Sequence, residues 1–276
     1  MATLTDAPQG WYDSRNHSPY YTEEDVKVRQ AFRDFVEKEI MPYRDEWDAA
    51  GKIPDELYLK AGNVGLLAAA IGWPEDVSPL PRPKNWSMLG SLIAMDELSR
   101  CGSGGIVWGL IGGLGIGLGP IYHGGTDEMR EKVVKPALRG EVKVCLAVSE
   151  AQAGSDLAGL TTTADEQGDF FIINGNKKWI TGGKFADFAS VAVKLNDGSK
   201  GFAAIRLVLV PMKTPGITVR EMSCMGAKGS GTAFIEFDDV KVPKENLIGT
   251  ADLMLRNFVA ERVGCVARSR GALTGD

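Results

Sequence analysis

The chain has 276 residues, of which 44% are hydrophobic and 24% are charged, a balance typical of a soluble globular protein with one large or two smaller domains. The net charge of −5 argues against a nucleic-acid partner, because phosphate binding needs a basic face. Four cysteines without a Cys-x-x-Cys pair and two distant histidines argue against a zinc site and indicate reduced thiols.

The N-terminal segment and one apolar stretch bear on location. Residues 1–14 lack the charged and apolar regions of a secretory signal peptide, and the acids Asp6 and Asp13 are atypical of a mitochondrial presequence. We therefore expect a cytoplasmic protein. Residues 101–122 carry no charge and are long enough to span a bilayer, but nine of them are glycine. Because glycine weakens a helix and lets backbones approach closely, a packed internal helix is favoured over a membrane span.

The first 140 residues have a helical pattern. Apolar residues recur at helical spacing between Val28 and Trp47, and Pro42 should kink or break this helix. The segment 74–83 is rich in proline and is predicted to be a loop. Further helices are predicted to begin at three capping sequences, the last of them ending by Gly140: Pro54-Asp55-Glu56, Asn85 and Thr126-Asp127-Glu128.

From about residue 143 the pattern changes to short strands. The predicted strands are 142–148, 170–173, 177–181, 203–210, 217–221 and 233–240. Asn174-Gly175 suits a type I′ turn, so we predict a β-hairpin around it, and a second reversal at 195–198. Several short strands at this spacing favour an antiparallel barrel or sandwich. A helix is predicted again from 251 to about 270.

This order of elements predicts an α+β protein in three parts. Residues 1–141 form an N-terminal helical bundle, and residues 142–248 form a β-barrel or sandwich middle domain. Residues 249–276 hold the first helix of an incomplete C-terminal helical domain.

Two segments carry the residues most suited to chemistry. Ser149–Asp156 is a turn of small residues with hydroxyls near both ends, and its backbone amides can approach carbonyl or phosphate oxygens. The second segment, Asn174–Thr181, contains Trp179 and Thr181. Together these segments could enclose a flat ring system with polar edges. Each feature also has an ordinary structural explanation when it is considered alone. The turn at Ser149–Asp156 could be a polar β-turn without a ligand, and Trp179 could equally be an aromatic residue of the core.

Four motifs taken together resemble the acyl-CoA dehydrogenase family. They are Val148–Asp156, Trp179–Gly183, Gly226–Thr232 and Phe237–Gly249. The resemblance covers roughly residues 20 to 264. It implies FAD-dependent α,β-dehydrogenation of an acyl-CoA thioester, in which the α-proton is removed and the β-hydride passes to flavin N5. It also implies an external acceptor of the electron-transfer flavoprotein type and homo-oligomers among full-length relatives. Family members continue into a second helical bundle, which this sequence is expected to lack.

The resemblance also implies roles for particular residues. The position matching Ser155 lies near both the flavin pyrophosphate and the substrate thioester, and the position matching Arg262 lies on the CoA side. Thr181 matches a hydroxyl near N5, where a fixed donor would orient the ring and stabilise its charge on reduction. The positions implied to bind the flavin are Leu146, Val148, Ser149, Ser155, Trp179 and Thr181.

Glu261 is the candidate general base. Its helix face carries the apolar residues Met254, Phe258 and Cys265, and no cation lies three or four positions away. An unpaired acid on an apolar face suits α-proton removal, because burial raises a carboxyl pKa. Some family members, including isovaleryl-CoA dehydrogenase, carry their catalytic glutamate in a matching Glu-Arg context. The alternative is an exposed acid, or one paired with another element.

Two other functions are compatible with the same residues. One is a flavin oxidase or monooxygenase of the same fold. The other is a non-catalytic fragment that binds flavin, acyl-CoA or a partner through its terminal helix.

Overall fold

A computed structural model describes residues 21–259 and residue 262. Within them a helical region is followed by one eight-stranded sheet and then by a helix over residues 251–259. This confirms the predicted succession of a helical part and a β part. The helices before the sheet are α1 (Glu23–Phe35), α2 (Arg44–Ala50), α3 (Asp55–Asn63), α4 (Leu66–Ala69), α5 (Met88–Ser99), α6 (Gly104–Val107), α7 (Gly113–Gly124), α8 (Asp127–Met129) and α9 (Lys135–Leu138).

The first helix is interrupted as predicted. Helix α1 begins with a capping box between Thr22 and Asp25. It continues as a π-helical turn over Val36–Ile40 and a 3₁₀ turn over Met41–Tyr43, which contains Pro42, before α2 starts. Proline lacks a backbone N–H and its ring crowds the preceding turn, which disfavours regular α-helix at this point.

The predicted start of the third helix is wrong. Helix α5 is capped by Ser87, whose hydroxyl accepts a hydrogen bond from the Leu89 amide at 3.2 Å. Asn85 instead adopts a left-handed conformation with φ of 59°. Asparagine tolerates this conformation better than most residues, so it forms the turn that precedes the cap. Thr126 caps α8 as predicted, accepting from the Met129 amide at 3.2 Å.

The uncharged stretch is an internal helix. Residues Gly104–Gly124 form one continuous helix, through α6, a π-helical turn and α7, and by length and composition alone it could cross a membrane. Inside this fold, most of its residues are buried. A Cβ placed on Gly117 would lie 2.6 Å from the Cys145 carbonyl carbon, so the glycines let the helix pack directly on the sheet. The Ser190 hydroxyl donates to the Gly117 carbonyl at 2.9 Å and links the two layers.

The sheet is mixed. Its strands are β1 (Val144–Ala147), β2 (Thr163–Gln167), β3 (Phe170–Ile180), β4 (Phe188–Leu195), β5 (Ile205–Pro211), β6 (Ile217–Glu221), β7 (Ala233–Pro243) and β8 (Leu247–Thr250). The spatial order is β6-β7-β3-β2-β4-β5-β8, with β1 also beside β4. Most pairs are antiparallel, as predicted, but β1 and β2 both run parallel to β4.

The two faces of the sheet are buried in different cores. On β1, Leu146 joins the helical core, whereas Cys145 and Ala147 join a second core within the β region. This alternation follows from the two-residue period of a strand. The second core combines side chains of β3 and β7 with those of β4 and β5, so the sheet curls around its own interior.

The predicted hairpin at Asn174-Gly175 is wrong. Strand β3 passes through these residues without reversing and pairs with β2 on one side and β7 on the other. The register of the β3–β7 pair shifts between Ile173 and Gly175, where Gly175 has a φ of 141°. One residue of β3, Asn174, here faces two of β7, so the extra residue of this bulge lies on β7, where Asp239 has a φ of 49° and its amide donates to Asn174 Oδ1 at 2.8 Å. The chain reverses instead at Gly168, between β2 and β3, and at 195–198 as predicted.

Candidate functional site

Trp179 lies on a second irregularity at the end of β3. The register of the β3–β7 pair shifts again between Lys177 and Ile180. Trp179 has a φ of 62°, and its side chain is 50% exposed. A bulky residue in the left-handed region is strained, and both strain and β-bulges concentrate at functional sites. The bulge thus presents a flat indole at the surface, which excludes the core-aromatic alternative.

Thr181 lies where β3 meets the long helix. A Cβ placed on Gly112 would come within 3.2 Å of the Thr181 Cγ2 atom, and one on Gly113 would come within 3.0 Å of the Thr181 carbonyl oxygen. The side chain is partly buried. Because Gly112 and Gly113 carry no side chains, Thr181 can pack directly against this part of the helix.

The turn after β1 lies against the end of β3. Leu146 and Val148 are buried, Ser149 is partly buried, and Ser155 is exposed. The backbone amide of Lys178 donates to the Ser149 carbonyl at 2.9 Å. The structure thus joins the two segments that the sequence singled out, directly beside Trp179. Ser155 lies further along the turn.

Glu150 and Lys177 were missed by the sequence reasoning. The Lys177 Nζ atom lies 2.8 Å from Glu150 Oε1, and both side chains are 0% exposed. Burial by itself raises the pKa of Glu150, but the Lys177 ammonium and the surrounding hydrogen-bond donors outweigh it and lower the pKa to about 2. Two features of the sequence could have indicated this pair. One is an acid within a turn of small residues, and the other is a lysine at a strand position whose side chain faces the interior.

A cavity of about 560 Å³ lies among α4, α5, α7 and the 251–259 helix. Its walls are mostly apolar, with a few polar groups, including Ser91 and Asn257. Ile111 and Gly112 line it, and Gly112 also lies beside Thr181, so the cavity approaches the β3 end of the site. A largely apolar cavity of this size with few polar groups suits a small ligand with an apolar chain.

The two remaining candidates lie at the end of the described chain. Glu261 lies outside the described residues, so its role as a base stays a prediction. Arg262 is exposed, and its role toward CoA also stays a prediction. On the preceding helix, Met254 is fully buried and Phe258 is partly buried.

The chemistry of the β1 and β3 segments suits a planar ligand with polar edges. An exposed indole supplies a flat face, and the partly buried Ser149 and Thr181 are hydroxyl-bearing residues of the same two segments. A Cβ placed on Gly154 would meet nothing within 4 Å, so open space lies beside the turn.

Known protein families match most of the chain. Residues 22–141 match the acyl-CoA dehydrogenase N-terminal domain, and residues 145–240 match the acyl-CoA dehydrogenase middle domain.

Individual relatives agree with these matches. Acyl-CoA dehydrogenase AFT10-1 of Alternaria alternata is 36% identical over 260 residues, which are 90% of this chain and 59% of the relative. Subunit CarC of the caffeyl-CoA reductase-Etf complex of Acetobacterium woodii is 32% identical over 93% of this chain and 67% of its own. The crystal structure of acyl-CoA dehydrogenase from Geobacillus kaustophilus superposes with a TM-score of 0.81 at 32% identity, covering 92% of this chain and 66% of that one. The chain spans about three fifths of the length of the curated relatives it matches.

Proposed function

Because the chain belongs to the acyl-CoA dehydrogenase family, we propose that it carries out FAD-dependent α,β-dehydrogenation of an acyl-CoA thioester. The observation that carries this proposal is the junction of β1 and β3. There the Lys178–Ser149 hydrogen bond brings the small-residue turn beside a strained, outward-facing Trp179.

FAD fits the residues at this junction. Trp179 would pack on the flavin ring, and the hydroxyls of Ser149 and Thr181 would contact its polar edge and the region of N5. The backbone of Leu146 and Val148 would contact the pyrimidine edge, and Ser155 would lie near the pyrophosphate. When bound, FAD accepts the hydride that leaves the substrate β-carbon.

The acyl chain would occupy the cavity beside α7. Its mostly apolar walls suit an acyl chain, and the contact of Gly112 with both the cavity and Thr181 would place the thioester end toward the β3 junction. Ser155 would lie near the thioester carbonyl, and Arg262 would attract the anionic CoA portion.

Glu261 would remove the α-proton. A carboxylate acts as a general base at neutral pH when burial raises its pKa toward that range. The helix over residues 251–259, which precedes Glu261 in the chain, presents the buried Met254 and the partly buried Phe258 on one face, and a continuation of that face would supply such surroundings.

Electrons would leave to a protein of the electron-transfer flavoprotein type. The relative from Acetobacterium woodii is named as a subunit of a complex with Etf, which supports this class of acceptor.

The test is flavin binding followed by reduction. The purified protein is titrated with FAD, its visible spectrum is recorded, and acyl-CoA is then added without oxygen. We expect flavin absorbance that bleaches with acyl-CoA. The double variant Trp179→Ala/Thr181→Ala should bind FAD more weakly, whereas the exposed control variant Tyr43→Ala/Thr218→Ala should bind like the wild type.

Other outcomes distinguish the alternatives. Rapid oxygen consumption with peroxide release would replace the dehydrogenase proposal with a flavin oxidase. Flavin binding without bleaching would indicate a binding protein. FAD affinity equal to that of the wild type in the Trp179→Ala/Thr181→Ala variant would remove the assigned pocket.

A further inference from the structure

We propose that the buried ion pair between Glu150 and Lys177 is a positioning device that fixes the turn after β1 against the bulge of β3, and so sets the affinity for FAD without touching it. The inference deepens the proposed function and rests on it, because the two segments that the pair joins are those assigned to the flavin.

Lys177 holds the turn from the side of β3. Its Nζ atom donates to Glu150 Oε1 at 2.8 Å and to the Val148 carbonyl at 3.1 Å. Its side chain therefore binds Val148 and Glu150, the residues on either side of Ser149. The adjacent Lys178 amide donates to the Ser149 carbonyl, so three successive residues of the turn are bound to two successive residues of β3.

The Glu150 carboxylate ties a third segment into the same junction. Its Oε2 atom accepts from the Thr161 amide and hydroxyl, both at 2.7 Å, and from Gln152 Nε2 at 2.6 Å. Its Oε1 atom accepts from the Thr162 amide at 3.0 Å and the Thr162 hydroxyl at 2.6 Å. One carboxylate thus joins the turn to the residues that lead into β2.

The position of the pair links it to Trp179. The register shift of β3 begins directly after Lys177, and Trp179 takes its strained conformation two residues later. A strained residue keeps its conformation only when its surroundings over-determine it. Burying two charges is unfavourable unless excellent geometry and further hydrogen bonds compensate, and both are present here. The pair therefore fixes the position of the β3 backbone at Lys177, the residue directly before the bulge.

A merely structural pair would behave differently from a positioning pair. The helical region offers a matched control in Arg29 and Asp96, a buried ion pair of 2.8 Å that joins α1 to α5. Asp96→Asn should lower stability while leaving the FAD affinity of the folded protein unchanged.

The experiment compares Glu150→Gln, Lys177→Met and the double variant with Asp96→Asn in the full chain. Amide hydrogen exchange without FAD reports the junction itself. We expect faster exchange at residues 148–150 and 178–181 in the first three variants and not in the control. FAD titration should give a dissociation constant raised on the order of tenfold or more, as for loss of a charge-assisted hydrogen bond. Lys177→Met should add much less in the Glu150→Gln background, because interacting residues are non-additive.

A milder variant covers failure to fold. Thr162→Val keeps the shape and removes one hydroxyl donor to Glu150, so it should raise the FAD dissociation constant by a few-fold. Visible circular dichroism of the bound flavin should change in the same variants, since ring orientation depends on the junction.

The outcomes separate the two proposals. Wild-type exchange and wild-type FAD affinity in a folded Glu150→Gln protein would overturn the positioning role. So would faster exchange with unchanged affinity, since the pair would then only stabilise the sheet. A wild-type protein that binds no FAD would overturn the proposed function, while the exchange measurement still tests the junction.

Discussion

Glu150 combines complete burial with a full set of hydrogen-bond donors. Its pKa in the folded protein is lowered from 4.5 to about 2, because the Lys177 ammonium and the hydrogen bonds from Thr161 and Thr162 favour the ionised form over the effect of burial. A group with a lowered pKa contributes stability above its unfolded pKa, and this contribution is lost as pH falls through the folded pKa.

The lowered pKa of Glu150 predicts that the stability difference between the wild type and Glu150→Gln depends on pH. The free energy of unfolding of the wild type should exceed that of Glu150→Gln above pH 4.5, and the difference should shrink as pH falls from 4.5 toward 2. Denaturant unfolding of both proteins over this range measures it. A difference that stays constant with pH would show that Glu150 is not held ionised by its neighbours.

Glu261 gives a second prediction for a single residue. Glu261→Gln keeps the shape but removes the proton acceptor, so bleaching of bound flavin by acyl-CoA should slow by on the order of 10² to 10⁴. Glu261→Asp should keep part of the rate, and the exposed control Glu245→Gln should bleach like the wild type. Stopped-flow absorbance measures the rates. Wild-type bleaching by Glu261→Gln would assign the base elsewhere.

Among the elements, α7 depends on glycine where it crosses β1. A Cβ on Gly117 would lie within 2.6 to 3.0 Å of Cys145 backbone atoms, which cannot move as a side-chain end can. Gly115, half a turn away, lines the cavity, and a Cβ there would come no nearer than 3.6 Å to its neighbours.

The two glycines predict opposite effects of the same substitution. Gly117→Ala should lower the free energy of unfolding by about 1 to 3 kcal/mol through overpacking. Gly115→Ala should leave it unchanged or raise it by up to about 1 kcal/mol, because alanine favours helix and meets no clash. Chemical denaturation checks both. Equal effects at the two positions would contradict the packing of α7 on β1.

The 251–259 helix carries apolar residues on its outer side. Leu255 is 43% exposed and Val259 is 57% exposed, while Met254 is fully buried. Exposed apolar residues in a contiguous patch favour association.

We therefore expect concentration-dependent self-association of this chain. The double variant Leu255→Lys/Val259→Glu should reduce it, whereas Val219→Lys, an exposed change on β6, should not. Sedimentation velocity over a range of concentrations measures the effect. A wild-type chain that stays monomeric at high concentration would show that this face alone does not drive association.

For the whole molecule, the sequence predicted most elements but not how they pair. The spacing of apolar residues and the positions of glycine, proline and capping residues located the helices before residue 140 and most strands after it. Strands β2, β4 and β8 were not among the predicted strands. Strand β2, Thr163–Gln167, was missed because its residues are mostly polar and lack a clear alternation. Without β2, Asn174-Gly175 was predicted as a hairpin turn, whereas it lies inside β3 opposite the bulge on β7. The domain boundaries at 141 and 248 stay predictions.

The sequence by itself determined which residue types meet at the candidate site. The motifs around Ser149 and Trp179 are local, and their resemblance to one family does not depend on the fold being known. Only the tertiary structure decided which way these side chains face. A bulge adds a residue to one strand and so changes the alternation of inward and outward positions. Pairing of β3 with β7 places that bulge after Lys177, and this buries Lys177 against Glu150 and turns Trp179 outward.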